Sequence, residues 1–103
     1  MDIEKIRKSI AEGKINWQRH ALTRMLERNI SRDEVKEVIS LGEIIEEYPN
    51  DYPLPSYLMF YNDIKPLHVV LSYNETNHKT YIITAYQPNL NHFEADFKTR
   101  RQQ

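Results

Sequence analysis

Ser31-Arg32-Asp33-Glu34-Val35-Lys36-Glu37-Val38-Ile39-Ser40-Leu41-Gly42-Glu43-Ile44-Ile45-Glu46-Glu47-Tyr48 carries the change of periodicity on which the fold turns. Ser31 and Glu34 stand at capping-box spacing: the hydroxyl can accept from the amide three residues on, and the carboxylate can reach back to the serine amide. Val35, Val38 and Ile39 share one helical face, and Gly42 is a natural stop. Beyond Gly42, residues 43–48 are β-branched and aromatic at their centre, which is strand composition. Helices therefore precede Gly42 and strands follow it.

Upstream, residues 2–12 place Ile3, Ile6 and Ile10 at helical spacing, and Gly13 supplies a C-terminal stop. Trp17 lies just before a second helix over residues 18–28, with Ala21, Leu22, Met25 and Leu26 as its apolar stripe; Asn29-Ile30 breaks it. Downstream, Pro49, Pro53 and Pro55 make residues 49–55 a loop. Strands follow over residues 56–61, 66–73 and 80–86, separated by polar turns at 62–65 and 74–79. Phe93 and Phe97 are four apart, as are Asp96 and Arg100, and predict a short C-terminal helix that docks two rings. The expectation is one α+β domain over residues 1–103: N-terminal helices packed on one face of a four-stranded antiparallel sheet, its other face open.

The chain has 103 residues, with 40% hydrophobic and 28% charged, which is globular composition and the size of one domain. It has no cysteine, which excludes a disulfide scaffold and thiolate metal sites and fits a reducing compartment. Its N-terminus is charged, without the apolar run of a signal peptide, and no run is long enough for a membrane span, so the expected location is the cytoplasm. The net charge of −1 is uneven: residues 41–64 hold five acidic side chains and no Lys or Arg. This is not the profile of a strongly basic nucleic-acid binder, but it leaves room for a local basic patch beside an acidic stretch.

Three groups of residues could carry chemistry. His20, Arg24 and Arg28 recur every four residues and form a row up the second helix, with Glu27 near it. Two guanidiniums can hold a phosphodiester by forked hydrogen bonds while an imidazole moves a proton. The same row also suits a solvated face with Glu27–Arg24 contacts. Strand parity sets His68, Val70 and Ser72 opposite to Leu67, Val69 and Leu71, and His68 with Tyr86 could line a ligand surface; a half-buried structural histidine fits as well. Tyr48 and Tyr52 flank the stiff proline loop, suited to stacking on a base, to holding a partner, or to protecting a sheet edge. His20, His68, His78 and His92 have no metal-ligand spacing, and two glycines leave no phosphate-cradling loop, so neither a metal nor another cofactor is expected.

The run His20-Ala21-Leu22-Thr23-Arg24-Met25-Leu26-Glu27-Arg28-Asn29-Ile30-Ser31 resembles the His-Ala-x-x-Arg-Met-x-Glu-Arg-x-Ile-Ser pattern of the DUF4258 family. Gly42-Glu43-Ile44-Ile45-Glu46 with Tyr48-Pro49 continues it, then Asp51, Pro53 and Pro55-Ser56. Pro66-Leu67-His68-Val69-Val70, Ile83-Thr84-Ala85-Tyr86 with Pro88, and Phe93-Glu94-Ala95-Asp96-Phe97 with Arg100 complete it. The likeness runs from Trp17 to Arg100; Phe93 departs where the family more often has Trp. It implies a distant relation to the RelE/ParE/BrnT-like toxin fold, whose members are often encoded beside a small zinc-ribbon or helix-turn-helix antitoxin. Toxins of that fold commonly cleave mRNA without a metal, and some act on gyrase. The matching polar positions are His20, Arg24, Glu27, Arg28, His68, Tyr86, Asp96 and Arg100.

The functional expectation is therefore the toxin half of a type II toxin–antitoxin pair, acting on mRNA, free or on the ribosome, as a metal-independent endoribonuclease. His20, Arg24, His68 and Tyr86 are its expected catalytic groups, with His20 as base or acid and His68 or Tyr86 as counterpart. Arg28, Tyr48, Tyr52 and Arg100 are its expected substrate contacts. The rival expectations are a non-catalytic interaction module using the acidic stretch and the Pro/Tyr loop, and a toxin that inhibits a protein such as gyrase.

Overall fold

The computed structural model describes residues 2–102. Helix α1 (Ile3–Ala11) begins where the Asp2 carboxylate accepts from the Glu4 amide at 3.0 Å. It is closed by Gly13, at φ +74, whose amide donates to the Ile10 carbonyl; only glycine takes that conformation without strain. A short strand β1 (Ile15–Trp17) leads into α2 (Arg19–Glu27). Asn29 ends that helix at φ 57, and the Ile30 amide returns to the Met25 carbonyl at 2.9 Å. Helix α3 (Arg32–Leu41) carries the full capping box: Glu34 N–H donates to Ser31 Oγ at 3.0 Å, and Ser31 N–H to Glu34 Oε1 at 2.9 Å.

Gly42 stops α3 for a different reason. Its backbone is extended, but a Cβ there would stand 2.4 Å from the carbonyl oxygens of both Phe60 and Val38. The end of α3 thus lies against the sheet that follows: β2 (Glu43–Tyr48), β3 (Ser56–Asn62), β4 (Pro66–Asn74) and β5 (Lys79–Tyr86). The strand order is β1-β5-β4-β3-β2, antiparallel throughout except that β1 runs parallel to β5.

The helices cover one face. Met59 of β3, Leu67, Val69, Leu71 and Tyr73 of β4, and Ile82 and Ala85 of β5 form one buried cluster with Ile6, Ala21, Met25, Val35, Val38 and Ile39. Burying each large aliphatic chain stabilises by about 1.5–3 kcal/mol. Ile83 is an extra residue in β5, because Leu71 pairs with Ile82 and Val70 with Thr84. That bulge lets Ile82 and Ala85, three apart, both face the core.

Four expectations are corrected. The sheet has five strands and is mixed, because residues 15–17 pair with Thr80, Tyr81 and Ile82; three residues are too few to show alternation. Leu26 is 84% exposed, so only Ala21 and Met25 of the α2 stripe are buried and Leu22 packs partly. No C-terminal helix forms among the described residues. Instead Asp96 accepts from the amides of Lys98 and Thr99, Phe97 takes φ 59, and Phe93 bridges to Arg100. The Asp96 side chain supplies hydrogen bonds that compete with a helix. Finally, the second sheet face is not open, because this tail packs across it.

Candidate active site

Strand pairing lays three rows across the second face. Glu43, Phe60, His68 and Tyr86 form one; Glu46, Leu58, Val70 and Thr84 the next; Tyr48, Ser56, Ser72 and Tyr81 the third. The tail lies over the first two. The Phe93 ring meets the His68 ring edge-on at 4.7 Å, Lys98 pairs with Glu43 at 3.0 Å, and Arg100 with Glu46 at 2.8 Å.

His68 is the centre of this arrangement and is 0% exposed. Its Nε2 lies 2.7 Å from the Phe97 carbonyl, which can only accept, so Nε2 carries the hydrogen. In the neutral ring Nδ1 is then an acceptor, and the Tyr86 hydroxyl at 3.3 Å donates to it. The rings of Phe60 and Tyr86 enclose the imidazole at 5.6 and 5.3 Å. Burial holds its pKa below the ordinary histidine value, against the Phe97 carbonyl and Glu46, while Arg100 adds to the lowering. Burial likewise raises the Tyr86 phenol, opposed by Arg100 and Arg28, so it stays protonated at neutral pH.

Glu46 anchors the tail. Burial alone would raise its pKa, but hydrogen bonds from Arg100 and Tyr48 outweigh that and leave the carboxyl below its usual range. Arg100 Nε donates to both Glu46 oxygens at 3.1 and 2.8 Å, and its guanidinium lies 4.9 Å from the Phe93 ring centre. The Glu46 and Tyr48 hydrogen bonds raise the arginine pKa further.

Arg28, Tyr86, Gln87, His92, Phe93 and Arg100 are among the residues that wall a cleft of about 580 Å³. Arg28 Nη1 donates to the Ala85 carbonyl at 2.9 Å and to Thr84 Oγ1 at 3.3 Å, and no carboxylate among the described residues pairs with it. Arg28 is thus the cleft's unpaired arginine, Arg100 on another wall is paired with Glu46, and Tyr86 lines the cleft with His68 behind it.

Of the expected site residues, the structure brings together His68, Tyr86, Arg28, Arg100 and, through Glu46, Tyr48. His20 and Arg24 stand apart. Both are exposed and neither lines the cleft; His20 lies about 12 Å up the axis of α2 from Arg28. Arg24 pairs with Glu27 at 3.1 Å, the solvated-face contact. Tyr52 is 94% exposed and belongs to a second cleft on the same face. Sequence reasoning passed over Glu46, His92 and Phe93 as site residues. Glu46 was accessible to parity, two residues before Tyr48; His92 carried no signal. Among the described residues, no three His, Cys, Asp or Glu side chains gather as metal ligands, and no helix is long and apolar enough to cross a membrane.

Fold and cleft together define a small α+β protein with a buried histidine bonded to a half-buried tyrosine at an arginine-lined cleft. Residues 17–87 match the family described as a domain of unknown function, DUF4258, and the chain belongs to that family. The matched span holds His20, Arg28, His68 and Tyr86 but ends before His92, Phe93 and Arg100. No curated protein and no solved structure matches the chain.

Proposed function

We propose that the protein is a metal-independent endoribonuclease, the toxin of a type II toxin–antitoxin pair acting on mRNA. The observation that carries this reading is the chain Phe97 carbonyl, His68, Tyr86 hydroxyl, which ends at a cleft with two arginines. The distant relation to RelE/ParE/BrnT-like toxins that the DUF4258 resemblance implies is the reason for choosing RNA as the substrate class.

In this reading the RNA 2′-OH attacks the adjacent phosphorus. Tyr86 accepts the 2′-OH proton while its own proton passes to His68 Nδ1. The resulting imidazolium keeps its Nε2–H on the Phe97 carbonyl and has Glu46 nearby. Arg28 stabilises the charge of the phosphorane, assisted by Arg100 Nη1, which the bonds to Glu46 and Tyr48 leave unengaged. The bond from phosphorus to the 5′-oxygen breaks, and His92, exposed on the cleft wall, protonates the leaving oxygen. The products are a 2′,3′-cyclic phosphate and a 5′-hydroxyl. Tyr86 touches the substrate; His68 acts through it.

The rival reading as an acidic docking module is weakened by the tail, because Lys98 and Arg100 already match Glu43 and Glu46. The test is induced expression in a bacterial host, with growth and mRNA integrity followed together. Wild type arrests growth and fragments mRNA. Tyr86→Phe and Arg28→Ala, at equal abundance, lose the effect by about 10²-fold or more. If purified protein cleaves no RNA, with or without ribosomes, and Tyr86→Phe behaves as wild type in cells, catalysis is abandoned.

A further inference from the structure

The second cleft lies under the proline loop, at the far end of the same sheet face. It measures about 600 Å³ and is walled by Tyr52, Pro53, Leu54, Tyr81 and Ile83, with Gln18, Asp51, Ser56, Ser72 and Asn74 as its polar groups. We infer that this cleft is a nucleobase subsite, which receives an unstacked base of the single-stranded RNA whose phosphate occupies the arginine cleft. The inference rests on the cleavage reading for its substrate class.

The ring walls suit a planar ligand. Tyr81 is fixed, because its hydroxyl accepts from Asn77 Nδ2 at 2.9 Å. Tyr52, beside Pro53, presents an almost fully exposed ring on the opposite loop. Base–aromatic stacking needs such faces and tolerates any base.

The polar groups suit a base edge. Ser72, though only 6% exposed, lines the cleft, where its hydroxyl can donate to or accept from a base edge. Gln18 occupies the N-cap of α2 without making a cap hydrogen bond. Ser, Thr, Asp or Asn would cap better, and the uncommitted amide offers both a donor and an acceptor at the rim. Ser56 is already bonded to Asp51.

The charges divide the ligand between the two clefts. This one holds no cation and one carboxylate, Asp51, so it repels phosphate and accepts an uncharged ring. The arginine cleft does the reverse. The row of Ser72 and Tyr81 lies four residues along β4 from the row of His68 and Tyr86, about 13 Å at strand rise. One extended single strand can thus engage both.

The experiment uses 2′-O-methyl hexamers of A, C, G and U, which lack the nucleophile and cannot be cleaved through it. Binding is read by fluorescence anisotropy and by the methyl NMR signals of Leu54 and Ile83. At least one hexamer should bind and shift both residues. Tyr52→Ala should weaken it about tenfold, and Ser72→Ala two- to tenfold, with unchanged thermal melting. The subsite is overturned if no hexamer moves those methyls, if both variants bind as wild type, or if only a tyrosine-containing peptide moves them. Its failure leaves the Tyr86→Phe growth test untouched. Conversely, hexamer binding by a protein that cleaves nothing supports the subsite and sinks the catalytic reading alone.

Discussion

His68 ties stability to pH. Its folded pKa lies below the ordinary histidine value because the ring is buried. An unfolded chain therefore binds a proton at the ordinary value of about 6.5 that the native ring resists. Stability from this residue is fully present above that value and falls as pH drops toward the folded pKa, by up to about 1.4 kcal/mol per pH unit. Glu46 moderates the loss and Arg100 increases it; Tyr86 faces the ring as a neutral phenol. We expect the melting temperature to decline between about pH 7 and pH 5, and the decline to be largely absent in His68→Gln relative to its own value at pH 7. A parallel decline in that variant would assign the effect to other groups. Parity alone predicted that His68 turns away from the Leu67, Val69, Leu71 face, and Tyr86 meets it by direct pairing. Parity could not reveal that a tail carbonyl fixes the tautomer. The His20–Arg24–Arg28 row was equally legible, but spacing along a helix does not say which end reaches a cleft. Only Arg28 does.

At the scale of elements, local chemistry was readable and non-local pairing was not. The Ser31–Glu34 box lies within one turn, so its sequence suffices. Strand β1 exists because residues 15–17 find Thr80 to Ile82, far along the chain, and no window of three residues contains that information. The tail misled because the Phe93–Phe97 interval mimics a helical turn, whereas Asp96 folds the backbone into a turn of its own. Its amide and hydroxyl hydrogen bonds, the Thr99 amide foremost and Lys98 next, hold the Asp96 pKa down at about 2. The two glycines give an element-scale test. Gly13→Ala meets open space but a positive φ, and should cost about 1–2 kcal/mol. Gly42→Ala meets two carbonyl oxygens that belong to backbone, and should cost about 3 kcal/mol, from forced separation of α3 and β3. Thermal melts of both variants check the order. Equal losses would mean that α3 can shift off β3 cheaply.

For the whole molecule, the question is what keeps the tail on the sheet, since it completes the cleft and buries His68. Two kinds of contact compete. The ion pair Lys98–Glu43 is exposed and worth about 0–1 kcal/mol, and Arg100–Glu46, with an exposed guanidinium on a half-buried carboxylate, stays near the top of that range. The Phe93 ring is buried against His68, and removing a buried ring costs about 3–5 kcal/mol. The ring should therefore dominate. Phe93→Ala should release the tail as a unit, so that the Glu94 amide on the Thr99 carbonyl and the Arg101 amide on the His92 carbonyl exchange quickly. Core strand amides on the helix side should keep most of their protection. Released from burial, His68 should titrate closer to its ordinary value, an effect that mere loosening of a terminus away from the ring could not produce. In wild type, 1 M salt should change tail exchange little, because salt screens ion pairs and not ring burial. Hydrogen exchange with histidine NMR decides the matter. If Lys98→Ala with Arg100→Ala frees the tail while Phe93→Ala leaves it docked, charge closes the site and the ring merely fills it.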